Sequence, residues 1–349
     1  MDQRHEWFRE GARAFRHVQE HHGRAHLLPS AADLYPCPLC LTGFYTIAAI
    51  ETGELTREHV PPRSLGGGWL VLTCRECNND SGRFYDAEAE KQERMRSFLA
   101  GRHEGPVRGT YAVNGVVHRG EIHLGAMLGD GPAPITFVGP DAVNVGDPVV
   151  IPTTNAGVGM YFQSVSRINN PPDAQQFDQV LSDAIDNREQ ITLSFAPQFR
   201  FSPDRARVSW IRSAYLVAFA ALGWSYVLRP QLVPLREQFQ AHEGAALPEI
   251  ALYDPQADPE RRELLIVSEP SDCASVLVVI GGQILFLPRP GGPRSVVDLA
   301  DAVQARYQDA ASSQTPLTFF GTPLPWPTKP DYGLDRSGIP SPAAARAGS

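Results

Sequence analysis

The chain has 349 residues, 42% of them hydrophobic, and a formal net charge of −8. That length suits about two domains. The negative balance excludes a protein coated in positive charge for nucleic acid, and leaves room only for a local basic site.

In chain order, residues 3 to 22 are expected as a helix, with Phe8, Ala12, Phe15 and Gln19 on one face and Trp7 and Val18 beside it. No basic-then-apolar leader stands before it, so no secretion signal is expected and the protein is read as cytoplasmic. Residues 37 to 82 form a compact motif region, and Arg83 to Ala100, charged and free of Gly and Pro, reads as a helix leaving it. From Gly105 the chain turns to short alternating segments. Val107 to Val113, Val116 to Leu124, Ile135 to Val138 and Val149 to Ile151 read as strands, with Asn114-Gly115 as a hairpin turn. Asp173 to Asn187 reads as a helix, and Ile191, Leu193 and Phe195 alternate as in a half-buried strand.

Pro203 to Leu228 is expected as one long helix, with Trp210, Tyr215, Phe219 and Trp224 in the core. Its apolar part, Ala214 to Leu228, is too short to cross a bilayer and is flanked by Arg212 and Arg229. Leu264 to Val267, Ser275 to Ile280 and Gln283 to Leu287 read as strands around a Gly281-Gly282 turn, and Ser295 to Tyr307 as a last helix. Beyond about Ser312 the Pro-, Ala-, Gly- and Ser-rich chain is expected to be disordered. The fold class is therefore α+β, with three parts: residues 1–104, a mixed α+β domain over 105–311, and a tail over 312–349.

The chemistry gathers in the first part. Four of five cysteines form two CxxC pairs, Cys37/Cys40 and Cys74/Cys77. Each pair offers two thiolates from one turn, and two pairs complete a tetrahedron with no open position, so one structural zinc ion is expected. Four unrelated buried cysteines are the alternative. Cys273, beside an apolar run, reads as a core residue. Between the pairs, Glu58-His59 ends one strand, Pro61-Pro62 stiffens the exit, Gly66 to Gly68 turns the chain, and Trp69 to Thr73 returns as a second strand. Asn78 can cap the helix that follows. Glu58 and Asn78 offer hard oxygen ligands that suit Mg²⁺ or Mn²⁺, and His59 offers a base near neutrality. The alternative for this pair is a solvated strand end beside a zinc finger.

This order of residues, EH-PP-GG-CxxCN, resembles the HNH endonucleases of the ββα-metal fold, in the subgroup held by two CxxC pairs. The resemblance covers about residues 35 to 90. It implies that His59 is the general base, that Glu58 and Asn78 ligate a catalytic divalent ion, and that DNA is cut to a 3′-hydroxyl and a 5′-phosphate. Glu58 stands where the family has Asp, Asn78 where it often has His, and Trp69 where it has the middle Asn. Arg57, Arg63 and Arg75 (with Arg83 nearby) are either phosphate contacts or ordinary surface charge. His17, His21, His22 and His26 cluster, as a solvated helix end more readily than a second metal site.

The resulting expectation is a metal-dependent DNA endonuclease, with defence against foreign DNA as its role, whose second domain receives a protein or a small activator. The competing one is a catalytically inactive zinc module that binds nucleic acid or a protein partner. Trp69 and the negative charge favour the module, and the Glu58-His59 pair favours the enzyme.

Overall fold

The computed structural model describes residues 2–21, 33–99, 107–113, 116–122, 149–153, 191–197, 201–241, 248–253, 258, 260–293 and 295–332. The expected Asn114-Gly115 turn, the strand at Ile135 to Val138 and the helix at Asp173 to Asn187 lie outside these residues, as do His22 and His26.

The chain divides into two compact units, Met1–Ala87 with Arg207–Ser349, and Glu88–Ala206. This division does not follow the consecutive boundaries expected at 104 and 311: the unit that contains the motif is closed by a distant stretch of chain. The reason is burial. A finger of this size cannot cover its own apolar residues, and the long helix beginning at Pro203 supplies the missing surface.

In the first unit, α1 (Gln3–His21) buries Trp7, Phe8, Ala12 and Phe15. Short strands β1 (Tyr35–Pro36) and β2 (Phe44–Tyr45) pair antiparallel around the first CxxC turn, and α2 (Ala48–Glu51) follows. Strands β3 (Leu55–Val60) and β4 (Gly68–Cys74) form an antiparallel pair that leads into α3 (Arg75–Ser81). This is the expected strand, strand, helix order. A π-helical turn at Gly82–Asp86 joins α3 to α4 (Ala87–Leu99).

The second unit contains the four-stranded antiparallel sheet β6-β5-β8-β7, built from β5 (Val107–Val113), β6 (Val116–Ile122), β7 (Val149–Thr153) and β8 (Ile191–Pro197).

The helix expected over Pro203 to Leu228 ends early. α5 (Pro203–Leu222) stops at Gly223, whose φ of +69° suits glycine, and α6 (Trp224–Val227) starts afresh. A Cβ at Gly223 would also overlap the Tyr332 carbonyl. Every residue of α5 from Val208 to Ala221 is buried, as its apolar composition requires. Trp224 packs edge-on against Phe15, Tyr35 and Phe219, at 5.3, 5.3 and 4.6 Å between ring centroids. Each such side chain contributes about 1.5–3 kcal/mol by burial. α7 (Val233–Gln240) then leads to the five-stranded antiparallel sheet β13-β10-β11-β12-β9. Its strands are β9 (Ala251–Tyr253), β10 (Glu263–Glu269), β11 (Ser275–Ile280), β12 (Gln283–Pro288) and β13 (Phe320–Leu324). Gly281 and Gly282, at φ +57° and +71°, make the β11–β12 turn. α8 (Val296–Ser313) starts with a capping box between Ser295 and Asp298 and runs past the expected end at Tyr307.

The tail expected to be disordered from residue 312 is ordered through Tyr332, the last described residue. β13 pairs with β10, and Tyr332 is buried against Tyr35, Phe219 and Trp224. Cross-strand pairing and aromatic burial outweigh the Pro-rich composition there. Cys273 is a core residue, its thiol pushed up to about 11 by burial. Among the described residues, no helix is long and apolar enough to cross a membrane.

Candidate active site and metal centre

The four cysteines of the two CxxC pairs converge from the β1–β2 turn and the start of α3. Their sulfurs all lie within 4.8 Å of one another. Four thiolates 2.3 Å from one zinc ion would be about 3.8 Å apart, so the cluster can hold a metal ion such as zinc. Two backbone amides already point at the sulfurs: Cys74 N–H donates to Cys37 Sγ and Cys77 N–H to Cys74 Sγ, each at 3.4 Å. The Cys74 sulfur thereby caps α3. Asn78, expected as that cap, lies inside the helix instead, because the sulfur takes the N-terminal acceptor role first. Gln240 Nε2 donates to Cys77 Sγ at 3.4 Å. No sequence signal marked Gln240, since it comes from α7. Among the described residues, no other group of three or more His, Cys, Asp or Glu side chains converges in this way.

His59 sits at the outer end of β3. The pairing of β3 with β4 steps from Glu58–Val71 to His59–Trp69, leaving Leu70 without an opposite residue. This bulge turns Leu70 and Val71 both inward and puts Trp69 outside, 48% exposed, next to His59. The rings of His59 and Trp69 lie 5.3 Å apart, inclined by 43°. The Arg57 guanidinium lies 3.3 Å from the Trp69 ring centroid. Partial burial, then Arg63 and Arg57, lower the pKa of His59 below the ordinary imidazole value of 6.5. The imidazole is therefore neutral, and able to accept a proton, at neutral pH.

The loop after His59 is shaped by two of the three glycines. Gly66, at φ +77°, ends a 3₁₀ turn over Arg63–Leu65, and a Cβ on Gly67 would overlap the Pro61 carbonyl. Arg262 donates to the Gly66 carbonyl at 3.0 Å.

Glu58 points the other way. It is 3% exposed, and its carboxylate forms a salt bridge with Arg212 Nη2 at 3.2 Å and accepts from the Thr73 hydroxyl at 2.9 Å. Arg212, on α5, is 4% exposed; it also donates to Ser81 Oγ and to the Cys77 carbonyl, the latter at 3.3 Å. Asp86 accepts from Ser81 Oγ at 2.9 Å and from Ser209 Oγ at 2.7 Å, which completes the network. Burial pushes the Glu58 carboxyl above the ordinary carboxylate range, with Arg212 pulling it back. Burial opposes the charge on Arg212, but Glu58 and Asp86 together outweigh it and raise its pKa. Arg212 was visible in the sequence as an arginine within an apolar helix. Its partner was not visible, because the two are 154 residues apart.

Asn78 lies against β3. Its Nδ2 donates to Thr56 Oγ1 at 2.9 Å and to the Arg57 carbonyl at 3.2 Å. The two expected ligands of a catalytic ion are therefore differently engaged: Asn78 holds the strand, and Glu58 is closed in an ion pair. They do not fit a shared divalent ion in this arrangement. Of the expected phosphate contacts, Arg57 and Arg63 lie beside His59. Arg75 is turned back onto the Thr52 and Gly53 carbonyls, at 2.5 and 2.7 Å, which closes the α2–β3 turn.

A β-hairpin whose first strand carries a histidine near its end, followed by a helix with one cysteine of a metal cluster at its N-cap and another in its first turn, defines the ββα-metal class of finger. Residues 47–94 match the family model described as HNH endonuclease, so the chain carries an HNH endonuclease domain and a nuclease activity on nucleic acid is indicated. No curated protein and no solved structure matches the chain.

Proposed function

We propose that this protein is an endonuclease that hydrolyses DNA phosphodiester bonds, with His59 as general base and zinc in the four-cysteine cluster. The observation that carries the reading is the placement of His59: an imidazole on the outer face of the finger, with Arg57 and Arg63 beside it. His59 takes a proton from water as the water oxygen attacks phosphorus. The bond from phosphorus to the 3′-oxygen breaks, and the leaving oxygen is protonated, which gives a 3′-hydroxyl and a 5′-phosphate. Arg57 and Arg63 offset the phosphate charge locally in a chain that is acidic overall. Zinc, bound by Cys37, Cys40, Cys74 and Cys77, supplies folding energy to the finger and no open coordination position. Mg²⁺ or Mn²⁺ is the divalent ion that the family resemblance implies. Thiolates that must stay reduced to hold zinc suit a cytoplasmic setting.

A role in defence against foreign DNA, and a protein partner or small activator received by residues 105–311, extend this reading; neither rests on the geometry of the site. The competing reading, an inactive zinc module, draws support from Trp69 and the net charge of −8. The position of His59 favours the enzyme. The test is incubation of the zinc-loaded protein with plasmid DNA and Mg²⁺ or Mn²⁺, beside His59→Ala with unchanged zinc content. Nicking by the parent alone establishes enzyme and base together. Retained binding without cleavage by either protein, over a range of metals, establishes the module.

A further inference from the structure

The residue before the base, expected as a ligand to the catalytic ion, is the most enclosed carboxylate of the site. Three observations bear on its role. Both its oxygens are engaged, Oε1 by Arg212 Nη1 at 3.3 Å and Oε2 by Thr73 and Arg212 Nη2. Its partner Arg212 is anchored by two further acceptors, Ser81 Oγ and the Cys77 carbonyl. The side chains of the pair are 4% and 5% exposed, so neither charge has water to fall back on. A metal ion could reach Glu58 only by expelling a guanidinium from four acceptors in a dry interior, which leaves that cation buried and unpaired.

We propose that Arg212 takes the place of a metal ion at Glu58: the Glu58–Arg212 pair is a fixed positioning device for His59, and Glu58 is not a metal ligand. The pair ties the strand just ahead of His59 to the end of α3 and to α5. A divalent ion taking part in hydrolysis binds without the Glu58 carboxylate. The charge-neutralising partner comes from outside residues 47–94, so the chain beyond the finger completes the finger's own interior. This inference rests on the nuclease reading only for its kinetic test.

The test titrates zinc-loaded protein with Mn²⁺ followed by electron paramagnetic resonance, comparing the parent with Glu58→Gln. The expected result is the same titration for both, whether or not Mn²⁺ binds tightly. A stoichiometric Mn²⁺ site in the parent that weakens tenfold or more in Glu58→Gln overturns the proposal. In plasmid cleavage, Glu58→Gln lowers kcat while the half-saturating Mn²⁺ concentration stays unchanged; a rise in that concentration also overturns it. Glu58→Gln/Arg212→Gln, which removes both charges, is expected to melt above Arg212→Gln alone, and additive losses count against the pair. A parent that cuts no DNA defeats the nuclease reading, and the Mn²⁺ titration and the melting series still decide the inference.

Discussion

The imidazole of His59 rests beside the indole of Trp69, ring centroids 5.3 Å apart, on the outer face of a two-stranded hairpin. Trp69 stands where the family resemblance places an asparagine, so an aromatic surface replaces a hydrogen bond next to the proposed base. Trp69→Ala removes that support and also releases Arg57 from the ring. Cleavage should fall about tenfold to a hundredfold, the scale of a small misplacement of a reacting group. Zinc content and melting temperature should change little, since Trp69 is 48% exposed. A steady-state assay with metal analysis checks this.

The pH profile should carry the mark of the arginines. Burial, Arg63 and Arg57 all lower the pKa of His59. The imidazole is then neutral above that lowered pKa and protonated below it, so with His59 as the proposed base the acid limb of kcat/KM should lie below the ordinary imidazole value of 6.5. Removing positive charge eases protonation. Arg57→Gln and Arg63→Gln should each move the limb to higher pH, and a limb that stays put in both would assign it to another group.

Removing the ion pair partner is a stability experiment. Arg212→Met leaves the Glu58 carboxylate buried without its cation, a change that costs about 3–5 kcal/mol. Denaturant unfolding of the zinc-loaded protein should show the loss. Glu58→Gln/Arg212→Met should recover part of it, because the uncompensated charge is gone.

Cys37 and Cys40 on the β1–β2 turn meet Cys74 and Cys77 at the start of α3 in a cluster that can hold a metal ion, for which zinc is the ion proposed. A strong chelator, or Cys74→Ser, should release the metal and unfold the finger together, because the site's binding energy is its folding energy. Metal analysis and circular dichroism should change in parallel.

Gly67 has no room for a side chain against the Pro61 carbonyl, whereas Gly68 faces open space. Gly67→Ala should destabilise by about 1–3 kcal/mol, the usual scale of imposed backbone strain. Gly68→Ala should be close to neutral, which makes it the control in the same thermal melt.

Much of this protein is local, and local features were legible in the sequence. The CxxC spacing named the metal cluster, because each tight turn presents two sulfurs wherever the rest of the chain goes. Alternation and the Gly-Gly turn named β11 and β12, and the apolar periodicity named α5. The EH-PP-GG-CxxCN order placed His59 at the end of its strand. What the tertiary structure decided is everything that depends on contact between distant residues. The partner of Glu58 lies 154 residues away, so the carboxylate read as a metal ligand became half of an ion pair. The tail that looked disordered contributes β13 and Tyr332, because a strand edge and an aromatic pocket stood open to it. Trp69 faces outward beside His59 because a bulge at Leu70 shifts the register by one residue, and a shift of one residue exchanges the faces of a strand. Spacing along the chain fixes which atoms a turn can bring together. Burial, which sets the charge partner and the face of each residue, exists only once the chain has folded.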